Sequence, residues 1–295
     1  MSESLQDYLK TGQYRLNEYI MELLEKDKML PDTLAESVMY SMRAGGKRLR
    51  PILMLAAFES FGGQGEKVLP VAAALEMVHT YSLIHDDLPA MDDDDYRRGQ
   101  LTNHKKFGEA TAILAGDALL TRSFSVIGQA SEIRPDEKVY LMSYLSEAAG
   151  ATGMIAGQAL DMEAEDKEST LYELEQIHNL KTGKLLTYAI VAGAFLAGVK
   201  PETLELMKRF GTYIGLIFQI QDDILDVTGD ESVLGKPVGS DEVNNKSTYP
   251  KLLGLNGAKA QMEKYVDLAH QCLEQADIKS SRLHELTVYL STRTS

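Results

Sequence analysis

The 295-residue chain has room for one large core or two ordinary domains, and with 44% hydrophobic and 25% charged residues it reads as a soluble globular protein. A formal net charge of −14 excludes a general nucleic-acid binder, and it means that any anionic substrate must be met by local positive charge or a metal ion. The single cysteine, Cys272, excludes an intramolecular disulfide and fits a reducing, cytoplasmic setting. Residues 1–7 carry neither the basic start of a signal peptide nor the Arg-rich character of a transit peptide. The longest apolar run, Leu185 to Val199, falls short of the ~20 residues of a membrane span, so no stable membrane insertion is expected.

In chain order the pattern is helical nearly throughout. Leu5, Tyr8, Leu9, Leu16, Tyr19, Ile20, Leu23 and Leu24 recur at mostly helical spacings. Pro31 and Asp32 break and restart the chain, and Ala44-Gly45-Gly46 ends the second helix before the basic run Lys47-Arg48-Leu49-Arg50. Leu69 to Leu88 is apolar all round, as befits a helix buried on every side. Glu109 to Ile127 reads as a helix with small residues along it, and Pro135 opens another with acids in its first turn. The Gly- and Ala-rich stretch Ala148 to Leu160 suggests close helix contacts or a kink, with a polar connector from Asp161 to Ser169. Leu171 to Val199 is a helix interrupted near Lys181-Thr182-Gly183-Lys184. Pro201 opens the next, which runs through Phe218 to Val227. Gly229 to Lys246 is a polar loop, and Lys259 to Ala276 and Arg282 to Leu290 return to helical spacing. With no alternating β pattern and no repeat, the expectation is one all-α domain over residues 1–295.

Two acidic motifs stand out. Asp86-Asp87 and Asp92 to Asp95 place six carboxylates within ten residues, followed at once by Arg97-Arg98. Such crowding repels unless solvent or a cation relieves it. An EF-hand is excluded, because counting from Asp92 puts Arg97 sixth and Asn103 twelfth, where Gly and Glu belong. Mg²⁺ shared with substrate phosphate oxygens fits better, and Arg suits those oxygens as well. The second motif is Asp222-Asp223-Ile224-Leu225-Asp226. On a helix Asp222 and Asp226 lie about 40° apart on one face, with Asp223 about 100° round as a supporting or solvent-facing group. Taken alone, this motif is better read as a helix showing acids to water; recurrence of Asp-Asp after a second apolar helix weighs against that.

Lys47, Arg48 and Arg50 follow the Gly45-Gly46 turn and form an anion-site candidate; alone, a solvated helix start is an equal reading. The run is not a P-loop, since Arg48 stands where Ser or Thr must follow the lysine. Lys181-Thr182-Gly183-Lys184 fails the same test, with His178 in place of the first glycine. His79, seven residues before Asp86, shares its helix face. Gly235 to Asp241, with Lys236, has the composition of a flexible lid over phosphates.

Taken together these motifs resemble the short-chain trans-prenyltransferases, in particular the bacterial farnesyl diphosphate branch. The resemblance runs from Gly45-Gly46-Lys47-Arg48-Leu49-Arg50-Pro51 to Lys246-Ser247-Thr248-Tyr249-Pro250, and the four-residue gap between Asp87 and Asp92 resembles that of the bacterial farnesyl type and of some geranylgeranyl synthases. It implies the isoprenoid synthase fold, a single large helical bundle around a deep central cavity, in a homodimer. It also implies condensation of isopentenyl diphosphate with allylic diphosphates (dimethylallyl, geranyl) to farnesyl diphosphate. Within the family, geranylgeranyl or geranyl diphosphate synthesis is the nearest alternative. A terpene cyclase or a non-catalytic partner subunit is more remote.

Carried over by position, the resemblance implies Mg²⁺, with Mn²⁺ as the alternative ion, held by Asp86, Asp87, Asp92, Asp222, Asp223 and Asp226. Asp86 and Asp92 on one helix and Asp222 on the facing one would be the direct ligands. Asp87 and Asp226 would be ligands or their support. Arg97, Lys181, Lys236 and, more weakly, Lys246 would grip the allylic diphosphate. Lys47, Arg50, His79 and Arg98 would hold isopentenyl diphosphate, and Thr182 and Gln219 would face the reacting carbons. Tyr81, with small Ser82 beside it, occupies the position that sets product length.

Overall fold

The computed structural model describes residues 3–28, 31–165, 167–229, 247–278 and 282–294. The chain divides into two compact units, Met1–Leu55 with Gly65–Met142, and Ala56–Gln64 with Ser143–Ser295.

The first unit opens with α1 (Leu5–Lys26), whose N-cap Ser4 accepts from the Asp7 amide at 3.1 Å and whose buried stripe is Leu16, Ile20 and Leu24. Then come α2 (Asp32–Arg43), the start of α3 (Leu49–Ser60) and α4 (Leu69–Asp86). Every side chain from Leu69 to Val78 on α4 is buried, as its apolar circumference requires. A two-residue hairpin, β1 (Tyr96–Arg97) and β2 (Gln100–Leu101), follows; sequence periodicity gives no hint of strands this short. Its central residues Arg98 (φ 53°) and Gly99 (φ 75°) are both left-handed, which is the I′ geometry that matches strand twist. Short α5 (Asn103–Phe107) and long α6 (Glu109–Gln129) complete the unit with the first half of α7 (Pro135–Ala149), and α6 packs along α4. Among the described residues the stretch long and apolar enough for a membrane span is α6, not Leu185 to Val199, and α6 packs along α4.

In the second unit α8 (Met154–Ala164) runs several residues into the expected polar connector, so that Asp161 is helical. Asn179–Gly183 is a π-helical turn between α9 (Leu171–His178) and α10 (Lys184–Leu196), at the predicted interruption. Thr170 and Glu173 form a reciprocal capping box that starts α9. Next comes α11 (Pro201–Thr228), with Pro at its first turn. It packs against α10 and against α12 (Tyr249–Gln275), a longer helix than the spacing suggested, broken at Gly254 where φ is 71°. Last is α13 (Arg282–Thr292). Among the described residues all regular structure is helical apart from the hairpin, and the architecture is all-α.

Candidate active site

The first acidic motif begins at the last residue of α4 and winds away from it. Asp86 ends the helix, so Asp92 is not on the same helix as expected; Pro89 stops propagation and the chain turns back. The Asp92 amide donates to the Asp86 carbonyl at 2.9 Å, so the loop brings the two ends of the motif together. Asp87 is buried and its Oδ1 accepts from Arg97 Nε at 2.6 Å, with Arg97 Nη2 2.5 Å from the same oxygen. Burial pushes the Asp87 carboxyl up against the pull of Arg97. Asp92 to Asp95 are exposed, and Lys105 pairs with Asp95 at 2.6 Å.

The hairpin turn sends its adjacent arginines to different partners. Arg97 reaches Asp87 and, at 3.4 Å, Asp94, whereas Arg98 donates through Nη1 to the Gly45 carbonyl. A side chain at Gly46 would collide with the Arg98 guanidinium, and φ there is 117°, so the Gly45-Gly46 turn is shaped to receive it. Nearby, Arg50 Nη1 lies 3.3 Å from His79 Nε2. Burial, then Arg50, Arg98, Arg48 and Arg97, hold the His79 imidazole well below its usual range, so it is neutral at pH 7. Arg50, His79 and Arg98 thus share one positive field in the first unit, with Lys47 exposed beside the turn.

Arg48 does not belong to that anion-binding set. It is buried, with three of its N–H donors given to Glu76 Oε1 at 2.7 Å, the Met42 carbonyl at 2.5 Å and Asn17 Oδ1 at 3.0 Å. Burial keeps the remaining donors of this guanidinium from a phosphate.

Tyr81 is 5% exposed, meets the His85 ring edge-on at 5.7 Å, and its buried hydroxyl has no hydrogen-bond partner among the described residues. Burial, then the Asp86 charge, pushes its phenol up to about 12. Ser82 turns its hydroxyl back to the His79 carbonyl at 2.9 Å.

In the second unit a cavity of ≈ 230 Å³ is lined by Asp161, His178, Lys181, Gln219, Asp222 and Asp223, among others. The π-turn carries Lys181 and Thr182 into place, seated tightly: a Cβ on Gly215 of α11 would lie 2.7 Å from Gly183 Cα. Lys181 Nζ pairs with Asp161 at 2.6 Å. Asp223 is buried and accepts from the Tyr249 amide at 2.9 Å, pinning the start of α12 to the motif; Asp226 is buried too. Asp222 alone of the three is well exposed, at 42%. Thr182 is 9% exposed. Lys236, Lys246 and the Gly235–Asp241 loop lie outside the described residues.

Three participants were missed from sequence. Asp161 carries a faint signal, one turn after Gly157, which packs on the Lys181 backbone. His178 stacks on Tyr249 at 5.8 Å and lies 3.4 Å from the Gln219 amide. Arg293 donates to Asp222 Oδ1 at 2.6 Å from 71 positions away, and no local pattern announces that contact.

The donor chemistry suits a hard divalent cation, since carboxylate oxygens are its preferred ligands. Among the described residues no three His, Cys, Asp or Glu side chains converge as a closed cage would. A cation here would therefore draw much of its shell from water and a phosphorylated ligand, the usual habit of Mg²⁺.

The chain is 47% identical over 295 residues to the farnesyl diphosphate synthase of Bacillus subtilis, covering 99% of this chain and 98% of that one. It is 42% identical to the geranylgeranyl diphosphate synthase of Cyanophora paradoxa, over 97% and 96% of the respective chains. Among solved structures, a geranyltransferase from Legionella pneumophila superposes with a TM-score of 0.84 at 32% identity, over 97% of this chain and 96% of its own. Residues 31–286 match the polyprenyl synthetase family throughout, and the chain belongs to it.

Proposed function

We propose that this chain condenses isopentenyl diphosphate with dimethylallyl and then geranyl diphosphate, giving farnesyl diphosphate and releasing diphosphate. The observation that carries the proposal is the 47% identity, sustained over essentially the whole chain, with a farnesyl diphosphate synthase. The buried Tyr81, one turn before the first acidic motif, supports a short product.

Mg²⁺, or Mn²⁺ in its place, bound through Asp86, Asp92 and Asp222 would supply Lewis-acid charge to the leaving diphosphate. Asp87 and Asp226 support that set, and Asp223 acts chiefly as the anchor of Tyr249. Arg97, Lys181, Lys236 and Lys246 hold the allylic diphosphate by charge-assisted hydrogen bonds. Lys47, Arg50, His79 and Arg98 hold isopentenyl diphosphate. The allylic C1–O bond breaks with its electron pair going to diphosphate. The isopentenyl double bond supplies the electrons of the new C–C bond, and the departed diphosphate takes the proton released from C2. Thr182 and Gln219 turn hydroxyl and amide oxygens toward the positive carbons, where fixed dipoles act without reorganisation. Apolar surroundings exclude water from the cation.

A homodimer in the cytoplasm completes the proposal; Ile113 and Leu114 on α6, 42% and 57% exposed, are the apolar surface that supports it. A geranylgeranyl product is the second reading, favoured by the 42% identity with a synthase of that product. The chemistry is tested by elongation of dimethylallyl diphosphate with and without a chelator. Loss of product on chelation and in Asp222→Asn is expected, and undiminished elongation in either case overturns the proposal.

A further inference from the structure

Arg293 follows α13 and is held from several sides. Its side chain is only 7% exposed. Nη2 donates to Asp222 Oδ1 at 2.6 Å and to the Phe218 carbonyl at 3.2 Å, and the guanidinium carbon lies 4.4 Å from the Phe218 ring centre. Its own carbonyl accepts from Gln221 Nε2 at 2.7 Å, which ties the chain end to the same helix as Asp222. A buried arginine on an exposed carboxylate of the second acidic motif places a monovalent charge where the family chemistry calls for a divalent one.

The manner of the contact matters. Arg97 sets both Nε and Nη2 against Oδ1 of Asp87, whose side chain is only 4% exposed, so burial closes that pair to competitors. Among the described residues Arg293 gives Asp222 one nitrogen, Nη2, while its buried Nε has no hydrogen-bond partner. The carboxylate is thereby neutralised but not enclosed, since Asp222 stays 42% exposed and lines the ≈ 230 Å³ cavity.

We propose that Arg293 is the resident counter-cation of Asp222, and that a divalent cation binds there by exchange for this contact. The inference rests on Asp222 being a cation ligand. Two cations sharing one carboxylate repel, so Arg293 weakens binding of a bare ion. A ligand that brings diphosphate supplies the missing negative charge and relieves that repulsion. The second motif is thus biased toward cations that arrive with diphosphate.

The test is Mn²⁺ binding to the full-length protein without diphosphate, read as loss of the free-ion electron paramagnetic resonance signal. Arg293→Met keeps an unbranched apolar stem over Phe218 and removes the charge, and Arg293→Gln keeps a donor without the charge. Each is expected to bind Mn²⁺ about tenfold more tightly than the unsubstituted chain, roughly 1.4 kcal/mol. The gain should vanish when Asp222→Asn is added. Unchanged or weaker binding, or a gain that survives Asp222→Asn, overturns the proposal. Loss of cooperative melting in both single variants also overturns it, because Arg293 would then be a structural residue. An unsubstituted chain that fails to elongate allylic diphosphates removes the proposed function. An elongating chain whose variants bind Mn²⁺ no better removes only the role of Arg293.

Discussion

Tyr81 has the environment of a wall rather than of a hydrogen-bonded core tyrosine, with a buried hydroxyl lacking a partner among the described residues and its ring braced on His85. Removing that wall should extend the space for a growing apolar tail. Tyr81→Ala is expected to shift the main product from C15 to C20 or longer by chromatography of dephosphorylated products; an unchanged distribution would remove Tyr81 as the stop. His79 gives a pH prediction. Its folded-state pKa is depressed, so stability is fully present above the unfolded value of about 6.5 and falls as pH drops below it, because the unfolded chain takes up the proton first. His79→Gln should flatten the loss of melting temperature between pH 7 and 5; an identical slope would contradict a neutral imidazole. Arg48 and Glu76 form an ion pair of 2.7 Å at almost no exposure. Arg48→Met leaves Glu76 buried without its charge partner and should cost ~3–5 kcal/mol in denaturant unfolding. A cost under about 1 kcal/mol would mean that the pair is not desolvated.

Among the elements, the π-turn Asn179–Gly183 does the most to place chemistry, carrying Lys181 and Thr182 between α9 and α10. Its seat depends on two glycines in contact, Gly183 and Gly215, whose backbones approach too closely for a Cβ. Gly215→Ala should cost ~1–3 kcal/mol by overpacking and lower kcat through displaced Lys181 and Thr182. Full activity and stability in that variant would show that the turn tolerates movement. Most helix ends were readable, because Pro31, Pro135 and Pro201 and the Ala44-Gly45-Gly46 stop act through backbone geometry that any context preserves. Asp161 to Ser169 misled because acidic composition resembles a loop, while tertiary packing of Gly157 on the Lys181 backbone keeps α8 helical through Ala164. The hairpin was invisible for the opposite reason: two-residue strands carry no period, and only the Arg98-Gly99 turn marks them.

At the scale of the molecule, composition and motif order were enough to anticipate an all-α chain with two acidic motifs and basic groups between them. What they did not convey is which charges cancel each other internally. Arg293 with Asp222, Lys181 with Asp161, Arg97 with Asp87 and Arg48 with Glu76 are pairings of the folded chain, all too far apart in sequence to leave a local trace. One incubation tests the reaction and the product length together. Purified protein with isopentenyl diphosphate, dimethylallyl diphosphate and Mg²⁺, followed by dephosphorylation and chromatography, should yield a C15 alcohol as the main product. A C10 or C20 main product would contradict the assigned length, and absence of any elongated product would contradict the assigned reaction.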